Sequence, residues 1–190
     1  YGIVSIIGTR SMTVGGMSHE GKLMDMQAGY AAAHQHPFNI FVHMIGIPTI
    51  MIGALITLSW KGWEIGGVRL NLAHIAMVLF FLFYLTLDRP FAIVFLVVAL
   101  VIAQIASYVG ELPVRTSGTV AALAFFGGFA AQFIGHAVEK AMPVLVKHPI
   151  QAGLSAPFFV VVEIFKIFGL RDDLFHKVQA QVEQRRAQEA

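Results

Sequence analysis

The sequence predicts an all-α fold: an integral membrane bundle of four transmembrane helices, with a further interfacial or packed helix near the C-terminus. Hydrophobic residues make up 57% of the 190 residues and charged residues only 13%, whereas soluble domains carry about a quarter charged residues. Four apolar runs reach the roughly 17–25 residues that a membrane-crossing helix needs. No segment shows the alternating pattern of a membrane barrel strand.

The four predicted spans follow one another with short polar connections. They cover Ile40–Trp60, Leu70–Leu87, Phe91–Val109 and Gly118–His136. The connections are rich in glycine, proline and charged residues, which are typical of turns. A fifth apolar stretch, Gln151–Phe168, contains a proline and two charged residues. This composition predicts a helix that lies at the interface or packs against the bundle.

The chain divides into three predicted parts. Residues 1–28 form a flexible leader, residues 29–170 form the four-span membrane domain, and residues 171–190 form a charged, solvated helical tail. Basic residues concentrate after the fourth span, so the positive-inside rule predicts both termini in the cytoplasm. The host membrane is then a bacterial inner membrane or, in a eukaryote, the endoplasmic reticulum. The sequence leaves the oligomeric state open.

Composition also excludes several functions. The chain has no cysteine, which excludes disulfides, thiolate metal ligands and cysteine nucleophiles. Its basic residues are not clustered as nucleic-acid binding would require. The remaining functional signal lies in the polar residues near the ends of the spans.

Two polar clusters lie far apart in the sequence. The segment "AHQHPFNIFVHMIGIP", residues 33–48, leads into the first span, and "QFIGHAVEK", residues 132–140, ends the fourth. Four spans return the chain to the face from which it started. We therefore expect His34 and His43 to lie at the same membrane level as His136.

Helical spacing brings the polar side chains of each cluster onto one face. Asn39 and His43 are four residues apart, and Gln132, His136 and Glu139 follow at i, i+4 and i+7. Intramembrane ionisable groups are costly and mark function. Imidazole nitrogens suit a divalent transition metal, and the two amide side chains could accept the remaining ring N–H groups.

The clusters predict a histidine-rich metal site with one carboxylate. Non-haem iron oxygenases use such sets and keep coordination positions open for substrate and dioxygen, although residue types alone do not separate iron from zinc. His36 is a poorer candidate because it precedes a proline at a helix start. Single histidines near helix ends, such as His74, His148 and His176, are typical interfacial hydrogen-bonding groups. The candidate ligands are His34, His43, His136 and Glu139.

Two other classes of protein are compatible with these residues. Paired histidines on two helices could hold a haem, as in electron-transfer bundles. Glu139 would then lie awkwardly beside an apolar macrocycle, and a third imidazole would be surplus. A transporter is expected to carry its polar groups near the membrane midplane, whereas these groups lie towards one face.

The motifs resemble those of the membrane family of 2-hydroxy fatty acid dioxygenases. The resemblance covers roughly residues 30–170 and rests on "HQHPFNIFVHMIGIPTI", "QFIGHAVEKAMPVL" and "APFFVVVEIFKIFGL" in that order. The residues that match the three motifs are Tyr30, His34, Asn39 and His43, then Gln132, His136, Glu139 and Pro143, and finally Glu163.

The resemblance implies an Fe(II) enzyme that uses dioxygen to cleave the C1–C2 bond of a 2-hydroxy fatty acid, leaving a chain one carbon shorter, without 2-oxoglutarate. It implies His34, His43 and His136 as ligands and Glu139 as either a ligand or a base. The remaining catalytic candidates, for orienting the substrate or the ligands, are Tyr30, Asn39, Gln132 and Glu163.

The chain departs from the family pattern after Lys140. Ala141 and Met142 stand where two basic residues are expected before Pro143. If those basic residues bind a substrate carboxylate, this chain must use another cation or act on another lipid, such as an isoprenoid.

Overall fold

The computed structural model describes residues 28, 30, 31 and 33–189, and most of them are helical. The predicted leader lies outside the described residues except for Ala28. A β-hairpin, β1 (Gly62–Ile65) and β2 (Val68–Asn71), follows the first long helix. The helices of 37–189 are α1 (Pro37–Ser59), α2 (Leu72–Leu85), α3 (Arg89–Gly110), α4 (Val114–Glu139), α5 (Val144–Lys147), α6 (Pro149–Ile167) and α7 (Asp172–Glu189).

Four of these helices, α1, α3, α4 and α6, are long and apolar enough to cross a membrane. The predicted all-α membrane class is therefore confirmed, and α1, α3 and α4 match the first, third and fourth predicted spans. The prediction for Leu70–Leu87 is wrong in extent. Leu70 and Asn71 belong to β2, and α2 has 14 residues. At 1.5 Å per residue it is about 21 Å long, shorter than the roughly 30 Å hydrocarbon core.

The β-hairpin explains why α2 starts late. Gly66 and Gly67 both have positive φ, 59° and 79°, as the two-residue turn of a tight hairpin requires. The Asn71 side chain then caps α2 by accepting a hydrogen bond from Ala73 N at 3.1 Å. The sequence analysis predicts a polar connection here, and the Gly66–Gly67 pair within it is the signal that indicates a hairpin.

Helix α6 packs around one end of the bundle. Phe158 and Phe165, two turns apart, both contact Phe91 in the first turn of α3, at ring-centroid distances of 5.5 and 4.5 Å. The hydroxyl of Tyr84, near the end of α2, donates to the Leu154 carbonyl at 2.7 Å. The predicted packing of this stretch is confirmed, but α6 is also one of the four helices that could cross a membrane, whereas the sequence predicted Leu70–Leu87 as a span in its place. The side of the membrane on which the termini lie stays a prediction.

The tail is helical, as predicted, but it is not solvated on every face. Val178 and Val182 of α7 are buried and form a small cluster with Ala28 and Ala31. Gln179 Nε2 also donates to Oε1 of Gln35 at 3.2 Å. The tail therefore packs against the segment that leads into α1, here called the approach segment (the described residues of 28–36).

Close packing of α1 against α4 depends on small residues. A Cβ at Gly53 would lie 2.6 Å from Phe125 N and 2.7 Å from the Ala121 carbonyl oxygen. Glycine here lets the two backbones approach more closely than any larger residue would. The close contact keeps α1 and α4 packed side by side as far as the ends that carry the polar clusters.

We expect Gly53→Ala to destabilise the protein by about 1–3 kcal/mol, because backbone atoms must move to admit the methyl group. The matched control is Gly127→Ala on α4, whose Cβ would meet nothing within 4 Å. The control should gain up to about 1 kcal/mol from helix propensity. Thermal unfolding in detergent measures the stability of both variants. Equal changes in their unfolding temperatures would contradict the packing argument.

Candidate metal centre

Three buried histidines meet where the approach segment, α1 and the last turn of α4 come together. They are His34, His43 and His136, and each offers one ring nitrogen that lies within 4.8 Å of the other two. The ring centroid of His34 lies 4.2 Å from that of His43 and 4.7 Å from that of His136. The ring centroids of His43 and His136 are 4.9 Å apart. The expected meeting of the two polar clusters is confirmed.

Backbone carbonyl groups fix two of the rings. His34 Nδ1 donates to the Tyr30 carbonyl at 2.6 Å, and His43 Nδ1 donates to the Asn39 carbonyl at 2.9 Å. A carbonyl oxygen only accepts, so the proton is on Nδ1 and the Nε2 lone pair remains free for a ligand. The sequence predicted that amide side chains would accept the ring N–H groups. For His43 this is wrong, because the acceptor is the backbone carbonyl of Asn39 and not its side chain.

Two buried ring nitrogens lack a hydrogen-bond partner among the described residues. His34 Nε2 and His136 Nδ1 are buried and form no hydrogen bond with any described residue. An unpaired buried polar atom costs about 1–3 kcal/mol, and a metal ion is a partner that removes this cost. Burial, followed by the neighbouring His43, lowers the pKa of His34 below its ordinary value. The ring is therefore neutral, as ligation requires, and the residues present fit a transition metal.

Glu139 joins the approach segment to the two long helices. Its Oε1 accepts from Gln35 N and its Oε2 accepts from Asn39 Nδ2, both at 2.8 Å. Asn39 Nδ2 also donates to the Ala33 carbonyl at 3.2 Å. Gly135 makes the contact possible, since a Cβ there would lie 2.3 Å from Asn39 Oδ1. Among the described residues, the group that could hold a metal contains the three histidines and not Glu139.

Tyr30 covers one side of the histidine group. Its ring stacks on His34 at a centroid distance of 4.2 Å and an interplanar angle of 8°. The ring of Phe159 on α6 packs against both, with centroid distances of 5.0 Å to Tyr30 and 5.3 Å to His34. Burial raises the pKa of the Tyr30 hydroxyl, so the phenol keeps its proton.

The other two catalytic candidates lie in different surroundings. Gln132 lines the cavity that the three histidines also line. Glu163 is buried on α6 and does not line that cavity; its Oε1 pairs with Lys166 Nζ at 2.5 Å. The structure thus brings Gln132 to the site and gives Glu163 an ion pair on α6.

Two further histidines have ordinary structural contacts, as the sequence indicated. His36 caps α1 by accepting from Phe38 N at 3.2 Å. His74 Nδ1 lies 2.9 Å from Asn71 Oδ1, beside the β-hairpin at the opposite end of α1. Neither belongs to the three-histidine group.

An apolar cavity of about 310 Å³ extends from the histidines into the bundle. It follows α1 from His43 to Leu58, a separation of fifteen residues or about 22 Å. Sequence reasoning missed it, because apolar residues that line a cavity look the same as those that face lipid. Besides Tyr30, the histidines and Gln132, its walls include Ile47, Met51, Leu55, Ala76, Met77, Phe80, Phe129, Gly153 and Ala156.

Fold and site together define a class: a helical membrane protein whose buried histidine group could hold a metal at one end of a lipid-sized cavity. Residues 22–167 match the model of the family described as 2-hydroxy-palmitic acid dioxygenase Mpo1-like, and the chain belongs to that family. It is 30% identical over 143 residues to the 2-hydroxy-palmitic acid dioxygenase MPO1 of Saccharomyces cerevisiae, covering 73% of this chain and 77% of the yeast protein. No solved structure matches the chain.

The hydrogen bond between Asn39 and Glu139 can be tested by exchanging the amide and the carboxylate between the two positions. Asn39→Asp places a second carboxylate 2.8 Å from Glu139 Oε2, so we expect a loss of about 3–5 kcal/mol. In the double variant Asn39→Asp/Glu139→Gln, the new amide can donate to the new carboxylate while its oxygen still accepts from Gln35 N. Thermal unfolding should show recovery of at least half of the loss. Asn39→Asp alone and in the double variant loses the donation to the Ala33 carbonyl equally, so a loss in the double variant equal to the sum of those of Asn39→Asp and Glu139→Gln would disprove the pairing.

Proposed function

We propose that the protein is a non-haem iron dioxygenase that cleaves the C1–C2 bond of a 2-hydroxy fatty acid. The observation that carries this proposal is the buried three-histidine group, with its unpaired ring nitrogens, at one end of an apolar cavity. Membership of the family and the name of the yeast relative support the dioxygenase activity and the 2-hydroxy acid substrate.

His34, His43 and His136 would hold the metal. When bound, Fe(II) would supply the activation of dioxygen. The three ligands are neutral, and the described part of the chain adds no fourth histidine, aspartate or glutamate to the group. Room is therefore left for both substrates.

The proposed reaction balances without a co-substrate. One 2-hydroxy fatty acid and one dioxygen give a fatty acid one carbon shorter, carbon dioxide and water. C2 is oxidised to a carboxyl carbon and C1 to carbon dioxide, so these two carbons supply the four electrons that dioxygen takes up. No 2-oxoglutarate is needed, because the substrate itself is the reductant.

The surrounding side chains position the substrate and the ligands. Tyr30 keeps its proton and closes the His34 side of the site, and the Gln132 amide is available to orient the substrate head. The sequence left Glu139 as a ligand or a base. Its two hydrogen bonds to the approach segment and α1 favour a positioning role, in which it fixes His34 relative to His43. The ion pair of Glu163 with Lys166 favours a structural role for that residue.

The cavity is suited to an acyl chain. Its length of about 22 Å exceeds the roughly 15 Å that one leaflet contributes to a hydrocarbon core of about 30 Å. Apolar walls remove the chain from water and exclude water from the reacting carbons. The carboxyl end would then lie at the histidines and the methyl end towards α2.

The contacts argue against the haem alternative. Axial histidines lie on opposite faces of a macrocycle, whereas all three ring centroids here are within 4.9 Å of one another. These distances leave no space for a haem between any two of the three rings. A different lipid in the same cavity remains an outcome of the tests below.

We expect His136→Ala to lose the metal, because it removes a nitrogen that has no other described partner. The anaerobically purified protein should contain near one iron per chain, and the variant less than about a tenth of that. The matched control is His74→Ala, which should keep its iron. Stoichiometric iron in His136→Ala would overturn the ligand assignment.

Product analysis tests the reaction itself. The purified protein with Fe(II) and dioxygen should convert a 2-hydroxy fatty acid into the acid one carbon shorter, with equal amounts of carbon dioxide. Zinc as the native metal would instead indicate hydrolysis or isomerisation of a lipid. Turnover of an isoprenoid but not of the hydroxy acid would select the alternative substrate.

The acyl cavity predicts a change of chain-length preference. Ala76 lines the cavity on α2, near the end remote from the histidines. Ala76→Phe should fill that end and lower kcat/KM for long-chain hydroxy acids by about tenfold, while medium-chain acids react as before. Val78→Phe, at an exposed position of the same helix, is the control. An equal loss for all chain lengths would show that the acyl chain lies elsewhere.

A further inference from the structure

We infer that Lys140 binds the negatively charged head of the substrate at the entrance to the histidine group. This inference rests on the proposed function and identifies the cation for which the sequence offered no candidate. It is carried by three observations: the place of Lys140 in an open hollow beside the site, its exposed side chain without a partner among the described residues, and its unusual backbone conformation.

The hollow is a second, more open cavity of about 350 Å³. Lys140 is the charged side chain that lines it, and Phe133, His136 and Pro143 line both this hollow and the apolar cavity. The two spaces therefore adjoin at His136. An acid whose acyl chain lies in the apolar cavity and whose head lies at the histidines has its carboxylate beside this hollow.

The side chain of Lys140 is available for a ligand. It is exposed, and it forms no hydrogen bond or ion pair with any described residue. The nearest acid in sequence, Glu139, accepts hydrogen bonds from Gln35 N and Asn39 Nδ2. Met142 and Pro143 also line the hollow.

The backbone of Lys140 supports a role for its side chain. It ends α4 in the left-handed conformation, with φ of 59°. Glycine is the usual residue in this position, because a Cβ is strained there. Helix termination alone would be served better by glycine, so the chain keeps a lysine at some cost in stability. A lysine at the C-terminus of a helix also favours the helix dipole, and the test must separate this effect from binding.

The experiment measures binding without turnover. Wild-type protein, Lys140→Gly and Lys140→Arg are titrated without dioxygen with a long-chain 2-hydroxy acid and with its uncharged methyl ester, by displacement of a fluorescent fatty acid. Lys140→Gly should weaken binding of the acid by about tenfold, leave the ester unchanged and raise the thermal midpoint by about 2–4 °C. Lys140→Arg should bind the acid nearly as the wild type does.

The control is Lys147→Gln, because Lys147 is exposed on α5 and lines neither cavity. It should bind both ligands normally. Unchanged acid affinity in Lys140→Gly, or an equal loss for acid and ester, would overturn the inference while leaving the proposed function standing. Failure of the wild type to bind either ligand would instead overturn the proposed function.

Discussion

The close approach of α1 and α4 is the constraint on which the rest of the structure depends. Gly53 lets the two backbones come within contact distance near their middles, and Gly135 repeats this at the polar end by making room for Asn39. Because the helices stay together over this length, His43 and His136 face each other inside an apolar bundle. Their positions thus follow from packing, before any metal is considered.

The third histidine is held by different means. His34 lies outside the long helices, in the approach segment, and is fixed by its hydrogen bond to Tyr30, by Tyr30 stacking and by Glu139 bonding to the neighbouring Gln35. The tail helix packs on the same segment through Val178 and other apolar residues. A candidate ligand on irregular backbone needs such external support, since local helical geometry does not fix it.

Much of the fold and of the site could be predicted from the sequence. The three histidines came from helical spacing and the return of the chain to one face, while the family was indicated by motif order. The extent of Leu70–Leu87 could not be predicted, because its apolarity is the same whether a helix spans a membrane or is shortened by a hairpin. Packing of the tail was missed because Val178 and Val182 lie in a helix whose residues are mostly polar or charged. Glu139 was recognised, but its partner Gln35 N is a backbone group that no side-chain pattern reveals.

The separation of the candidate ligands along the chain has a consequence for biosynthesis. About 100 residues lie between His34 and His136, so at about 5–20 residues per second the ribosome needs roughly 5–20 s to make that interval. During this time the approach segment and α1 are already made, and His34 and His43 lack both His136 and the Glu139 carboxylate. Loading of the proposed metal site would therefore follow the insertion of α4, as a step of maturation and not of synthesis.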